Sequence, residues 1–297
     1  MRGRSVLLLL TLLLAGCTDS AVDSVLLCGP SGTLRVGYIG ASEGQVRDTA
    51  QLISALDLER MRTLMSVASR CEVEFEPLLS PERARQRLRN GGWDVAFLPP
   101  GLTALALQPG VDGQPLRSLA RPNRSRSALM VSAGSSLREL EDINGLRLGL
   151  LPRGSLTGFY LPLYNLHGLQ LAEVRYAISY EALLDLLREG VVDAIAWDTG
   201  LASPGADVRV LAEDSHDIPS GAMVLSRALV TADHKSMLAI LDQSAAEMPG
   251  DLGYVAMVLP DPQSYQGLRD IVRHVEGWTL PEEGLPYTVF NSTVDVD

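Results

Sequence analysis

Short apolar runs alternate with helix-period stretches along most of this chain, and that alternation limits the fold more than any other feature. Leu34–Ile39, Glu72–Glu76 and Asp94–Leu98 read as strands. Between them, Gln45–Arg70 repeats apolar residues at Leu52, Ile53, Leu56, Met61, Leu64, Met65 and Ala68, the spacing of a helix face, with a break near Asp57. Ser80-Pro81-Glu82 then opens a second helix, with Ser80 as cap and Pro81 at the first helical position; it stops near Asn90-Gly91. Strand–helix–strand order implies parallel pairing and an α/β layer architecture. No period is clear over Arg117–Asn123.

The pattern resumes with strands expected at Ala128–Ser132, Arg147–Leu151, Val174–Ala177 and Val191–Trp197. Ser136-Leu137-Arg138-Glu139 has the form of a capping box, and Tyr180–Glu189 is an amphipathic helix that presents Leu183, Leu184 and Leu187. Val208–Leu211 and Ala222–Leu225 read as further strands, and Lys235–Met248 and Tyr265–Val275 as helices. Thr279–Asp297, Pro-rich and then acidic, is expected to be loose.

Gly145–Leu163 carries the best candidate for chemistry. A strand ends at Pro152-Arg153-Gly154, and Ser155-Leu156-Thr157-Gly158 leads into a helix over Phe159–Leu166. A helix start offers unpaired N–H groups and the positive end of the helix dipole, so it attracts anions. Ser155 and Thr157 add hydroxyl donors, and Gly154 and Gly158 allow a close backbone approach. A plain helix cap at Ser155 explains the same residues. Asp198 ends a strand, where ligands of open α/β sheets sit, but it also suits a cap of the Thr199-Gly200 turn. Trp197 reads as core, Tyr38 as a buried tyrosine at a strand end, Arg153 as a solvated loop residue and His216 as a surface residue.

The N-terminus is read as a targeting segment. Arg2 and Arg4 precede an apolar stretch, Val6–Leu14, that is too short to span a bilayer. Leu14-Ala15-Gly16-Cys17 follows and resembles the lipobox of bacterial lipoproteins. On that reading, residues 1–16 are a signal peptide and Cys17 carries a lipid. Residues 17–32 then form a tether, and the protein is extracytoplasmic or periplasmic and anchored to the membrane. Export permits a disulfide between Cys28 and Cys71; two free thiols fit the spacing as well. A net charge of −11 argues against nucleic acid as a partner. The four histidines are scattered, so neither a metal site nor a cofactor is expected.

One ordered set of residues resembles a known family. It runs from Asp94-Val95-Ala96-Phe97-Leu98-Pro99 through Ser136-Leu137, Glu141-Asp142-Ile143-Asn144-Gly145 and Ser155-Leu156-Thr157-Gly158-Phe159 with Pro162. It continues through Gly190-Val191-Val192-Asp193-Ala194 to Asp198 and Ile218-Pro219. The set is similar to the phosphonate/phosphite/phosphate substrate-binding proteins of ABC importers. The resemblance implies a two-lobed periplasmic-binding-protein architecture of type II, each lobe a mixed, mostly parallel sheet flanked by helices. Lobe I would be 33–124 with 220–297, lobe II 125–219, and Arg117–Arg126 and Ser215–Ser220 the two hinge strands.

It further implies a non-enzymatic monomer that captures a small phosphorus oxyanion for an ABC permease, with Ser155, Leu156, Thr157, Gly158, Tyr180, Asp198 and Tyr38 around the ligand. Leu156 replaces a hydroxyl residue of the family pattern, Tyr180 stands where a His is common, and Leu98-Pro99-Pro100-Gly101 replaces an aromatic and Gly-Pro. A related lipoprotein with a changed or lost ligand, acting as sensor or scaffold, is an alternative. So is a serine hydrolase using Ser155, Asp198 and His216, although Arg153 and Thr157 occupy the places of the glycines that a nucleophile elbow needs.

Overall fold

The computed structural model describes residues 27–28, 31–39, 54–78, 80–120 and 125–290. The elements in chain order are β1 (Thr33–Tyr38), α1 (Ala55–Ser69), β2 (Glu72–Pro77), α2 (Pro81–Arg89), β3 (Val95–Leu98), α3 (Pro100–Ala106), β4 (Gln114–Ser118) and β5 (Ser127–Ser132). Next come β6 (Arg147–Leu150), α4 (Leu161–Asn165), β7 (Gln170–Leu171), β8 (Glu173–Tyr176), α5 (Tyr180–Arg188), β9 (Ala194–Asp198) and β10 (Val208–Glu213). The chain closes with β11 (Ala222–Leu225), α6 (Lys235–Gln243), α7 (Gln266–Glu276) and β12 (Tyr287–Thr288).

Two five-stranded sheets result, in the orders β2-β1-β3-β11-β4 and β10-β5-β9-β6-β8. In each sheet one strand runs against the other four: β11 lies antiparallel to β3 and β4, and β5 antiparallel to β9 and β10. These reversed strands are the first that the chain enters after each passage between sheets, from β4 to β5 and from β10 to β11. The pairs β1–β2, β1–β3, β6–β8 and β6–β9 are parallel.

Local chemistry sets the helix starts. Ser54 Oγ accepts from Asp57 N, Ser80 Oγ from Arg83 N ahead of Pro81, and Ser179 Oγ from Ala182 N. The first half of the long helix expected from Gln45 lies outside the described residues. The box at Ser136 is displaced: Glu139 and Asp142 form the reciprocal pair, capping a single turn at Leu140–Ile143. Two elements that the periodicity did not show are α3 and β4. Pro100 ends β3 but starts α3, because proline fits the first helical turn, and every residue of α3 is buried. Arg117, expected in an aperiodic hinge, sits in the edge strand β4 opposite Met223.

The core has three parts. Leu34, Val36, Met61, Met65, Val73 and Phe97 fill one side of the first sheet. Leu183, Leu187, Ile195 and Trp197 fill one side of the second. A third, central layer belongs to both: Leu98, Leu102 and Leu105 meet Phe159, Leu161, Ile271, Val272 and Val275. The tail is not loose as far as Phe290. Tyr287 and Thr288 pair with Leu171 and Gln170, and Val289, fully buried, bonds through its backbone to Gly168 and Leu169. The apolar Val289 side chain and the unpaired edge of β8 explain why this Pro-rich segment is held.

Cys28 and Cys71 are joined in a disulfide, with Cα atoms 5.8 Å apart. It fastens the segment before β1 to the start of β2. Closing a loop over a sequence separation of 43 stabilises by about 4 kcal/mol if the effect is chain entropy. Cys28→Ser with Cys71→Ser should therefore lower Tm by roughly 8–16 °C in a thermal melt, at 2–4 °C per kcal/mol. An unchanged Tm would show that the bridge adds nothing.

Asp242 at the end of α6 ties three elements. It accepts from Arg117 (Nη2 2.6 Å, Nε 2.9 Å), from Tyr254 Oη at 2.8 Å and from Met257 N at 3.1 Å. The Arg117 guanidinium, with help from these other donors, holds its carboxyl at about 2, below the ordinary 3.8. Because the folded value is the lower one, this stabilisation is complete above about pH 4 and is lost as pH falls through 2. Asp242→Asn should lower Tm at pH 7, and the gap to wild type should close as pH falls from 4 to 2. A gap that stays constant with pH would contradict the ion pair.

Candidate functional site

The turn after β6 is built by two glycines. Gly154 has φ +116°, and a Cβ there would lie 2.7 Å from Pro81 Cβ, at the first turn of α2. Glycine thus serves both the backbone conformation and the contact between the two halves of the molecule. Gly158 has no room either, since a Cβ would come within 2.6 Å of the Leu151 side chain. Ser155 Oγ accepts from Gly158 N at 3.0 Å, which makes it a true cap. The turn it caps is wide. Tyr160 N bonds to Ser155 O and Leu161 N to Leu156 O, both i→i+5, before α4 continues. Such wide turns occur often at functional sites.

The wide turn places Thr157 at the centre of a hydroxyl cluster. Thr157 Oγ1 lies 2.6 Å from Tyr180 Oη and donates to Asp198 Oδ2 at 3.3 Å. Ser125 Oγ donates to Asp198 Oδ1, which also accepts from Gly200 N at 2.8 Å. Ser127 Oγ donates to Thr157 O at 2.8 Å. Ser155, Thr157 and Tyr180 are almost wholly buried, and the Tyr180 ring meets Trp197 edge-on at 5.4 Å. These residues come from the start of β5, the loop after β6, the start of α5 and the end of β9. All lie at the carboxyl ends of the parallel strands or beside them, which is where the topology puts ligands.

Asp198 therefore stands beside Thr157, not across a pocket from it. The cap and ligand readings of Ser155 and Asp198 are compatible, since each caps a turn and still belongs to the cluster. Leu156 sends its side chain into the central core. Tyr38 is buried at the end of β1, in the other sheet, with its ring 6.1 Å from that of Phe75. No arginine forms an ion pair with Asp198 among the described residues.

Sequence reasoning missed two parts of this region. Ser125 and Ser127 carry no local signal; only the pairing of β5 with β9 brings them to Asp198 and Thr157. Arg153, read as solvated, donates through Nε to Glu276 Oε1 at 2.8 Å. Glu276 lies at the end of α7, 123 residues away, so no local pattern could show the pair. The hydrolase arrangement is not made. His216 Nδ1 is 2.8 Å from Asp214 Oδ1, and Asp198 is taken by Ser125 and Thr157.

Two sheets joined by two passages, with polar groups gathered at the strand ends between them, define a two-lobed binding protein. Residues 54–248 match the family described as ABC transporter, phosphonate, periplasmic substrate-binding protein, and the chain belongs to that family. No curated protein matches the sequence. Among solved structures, the chain is similar to XAC2383 from Xanthomonas citri bound to ATP (17% identity, 82% of this chain and 98% of that one, TM-score 0.62). It is also similar to PhnD1 from Prochlorococcus marinus in complex with methylphosphonate (15%, 82% and 98%, 0.58). A third is a binding-protein component of an ABC phosphonate transporter from Pseudomonas aeruginosa (17%, 80% and 85%, 0.58). At these identities the likeness is one of fold.

Proposed function

We propose that the protein is an extracytoplasmic lipoprotein that captures a small phosphorus oxyanion, a phosphonate, phosphite or phosphate, and delivers it to an ABC permease without a catalytic step. The observation that carries this reading is the wide turn at 155–160, whose first N–H groups start a helix beside the hydroxyls of Thr157 and Tyr180 and the carboxylate of Asp198. Family membership and the bound methylphosphonate of the Prochlorococcus protein support it. Ser155, Leu156, Thr157, Gly158, Tyr180 and Asp198 would form one wall, with Leu156 contributing only its backbone, and Tyr38 would belong to the facing lobe. Lobe I would comprise 33–124 and 220–297, its segment 281–289 reaching across to β7 and β8, and lobe II 125–219, with the passages before β5 and before β11 as hinges that close on the ligand. The protein would act as a monomer.

A carboxylate beside an anion is repulsive unless the ligand brings a proton to share. Asp198 should thus favour a monoanion bearing P–OH, or a ligand with an N–H donor, over a dianion. In a thermal-shift series with methylphosphonate, phosphite, phosphate and sulfate, a ligand at one hundred times its Kd should stabilise by about 2.7 kcal/mol. That corresponds to roughly 5–11 °C for a chain of this size. Thr157→Val should weaken binding by roughly 1–3 kcal/mol through the unpaired partner it leaves. Asp198→Asn should reduce discrimination against the dianion as pH rises. If a phosphorus oxyanion binds and neither variant changes its affinity, the site lies elsewhere.

Cys17, Arg2 and Arg4 lie outside the described residues, and the anchor rests on the sequence pattern alone. In the native host the protein should partition into the detergent phase. Cys17→Ala should release it or leave the precursor uncleaved; processing and retention like wild type would refute the lipobox.

A further inference from the structure

The central layer and the tail connect the two halves of the molecule in a way that two hinges do not require. α7 packs on α3, which follows a strand of the first sheet, and on α4 and the 156–160 turn, which follow a strand of the second. From its end the chain runs along the second sheet. Tyr176 Oη donates to Pro281 O at 3.1 Å, Gly284 N donates to Val174 O at 3.0 Å, and β12 pairs with β7.

Glu276 stands where helix and tail join. Its side chain is only 4% exposed. Oε1 accepts from Tyr160 Oη at 2.6 Å and Arg153 Nε at 2.8 Å, both from the second half. Oε2 accepts from Arg89 Nη2 at 2.7 Å and Arg85 Nη1 at 3.0 Å, both on α2 in the first half. The two oxygens of one carboxylate thus each hold a different half. Burial pushes this carboxyl up, but hydrogen bonds from Arg153 and Tyr160 and the charges of Arg153 and Arg85 outweigh it and hold the group below the usual Glu range. Burial, with Glu276 beside it, raises the Tyr160 hydroxyl well above its ordinary value, so it stays a donor.

We propose that Gln266–Phe290 acts as a brake on lobe separation, a third passage between the lobes that is pinned at the Glu276 carboxylate. Charge-assisted bonds to a buried carboxylate are strong and little screened by salt. Besides parting the shared apolar layer, opening must break one pair of them or strip the tail from β7 and β8. The brake would limit how far the empty protein opens and would favour the closed form before any ligand arrives, which raises apparent affinity by raising the binding-competent fraction.

The inference rests on the two-lobe closure reading, but its test needs no ligand. Labels at Val67 and Ile178, both well exposed and on opposite lobes, report lobe separation in the ligand-free protein by dipolar distance measurement. Glu276→Gln keeps the shape and removes the charge, and should shift the distance distribution to longer, broader values. Arg85→Gln with Arg89→Gln should shift it the same way by less, and decides the matter if Glu276→Gln does not fold. Asp94→Asn breaks a more exposed pair with Arg35 inside one lobe and should lower Tm with no shift. Distributions equal to wild type in the pin variants, or an equal shift in Asp94→Asn, would overturn the brake. A pin variant that opens in a protein that binds no methylphosphonate would overturn only the ligand assignment.

Discussion

The apolar layer shared by α3, α7 and the 156–160 turn is the constraint on which both lobes depend. Leu102, Leu105, Phe159, Leu161, Ile271 and Val272 are buried by one another, so neither half can complete its core alone. Fully burying each such side chain stabilises by about 1.5–3 kcal/mol, and separating the halves at this layer would expose several at once. The hydroxyl cluster and the Glu276 node lie on the two flanks of the wide turn that this layer holds in place. The hydroxyl cluster beside this layer takes its geometry from the core.

The same layer explains why the turn is wide. Gly158 sits against Leu151 and Gly154 meets Pro81, so packing fixes the entry to the turn and its middle. The i→i+5 turn accommodates one more residue, keeps the Phe159 and Tyr160 rings edge-to-face at 5.3 Å and leaves Thr157 facing Tyr180 and Asp198. Hydrogen-bond direction follows from chemistry: the Asp198 carboxylate accepts, so Thr157 donates to it and Tyr180 donates to Thr157. A ligand carrying its own donor fits this wiring with the least rearrangement.

Charge is handled locally throughout the molecule. With a net charge of −11, long-range attraction of an anion is weak. Several of the described arginines are paired: Arg153 with Glu276, Arg117 with Asp242, Arg147 with Asp193. They hold elements together. Arg153 is the instructive case, since it stands next to the candidate anion turn in sequence yet points its guanidinium to the helix α7.

Much of the fold was legible because it is written in short-range patterns. Period and caps gave β1, β2, β3, α2 and α5 nearly as they stand, and the order of motifs from Asp94 to Pro219 gave the family. The strand–loop–helix at 147–166 also came from local signals, Pro152 as breaker and Ser155 as cap; that Gly158 packs against Leu151 did not. What tertiary structure alone decided has long sequence separation. Ser125 reaches Asp198 only through the pairing of β5 and β9, and Glu276 reaches Arg85, Arg89, Arg153 and Tyr160 only because α7 lies in the central layer. The tail from Thr279 looked loose because its prolines and charges suit a loop; the exposed edge of β8 and the pocket for Val289 hold it in place. Local propensity speaks for the residues within a turn or two, whereas these contacts are set by where whole elements pack.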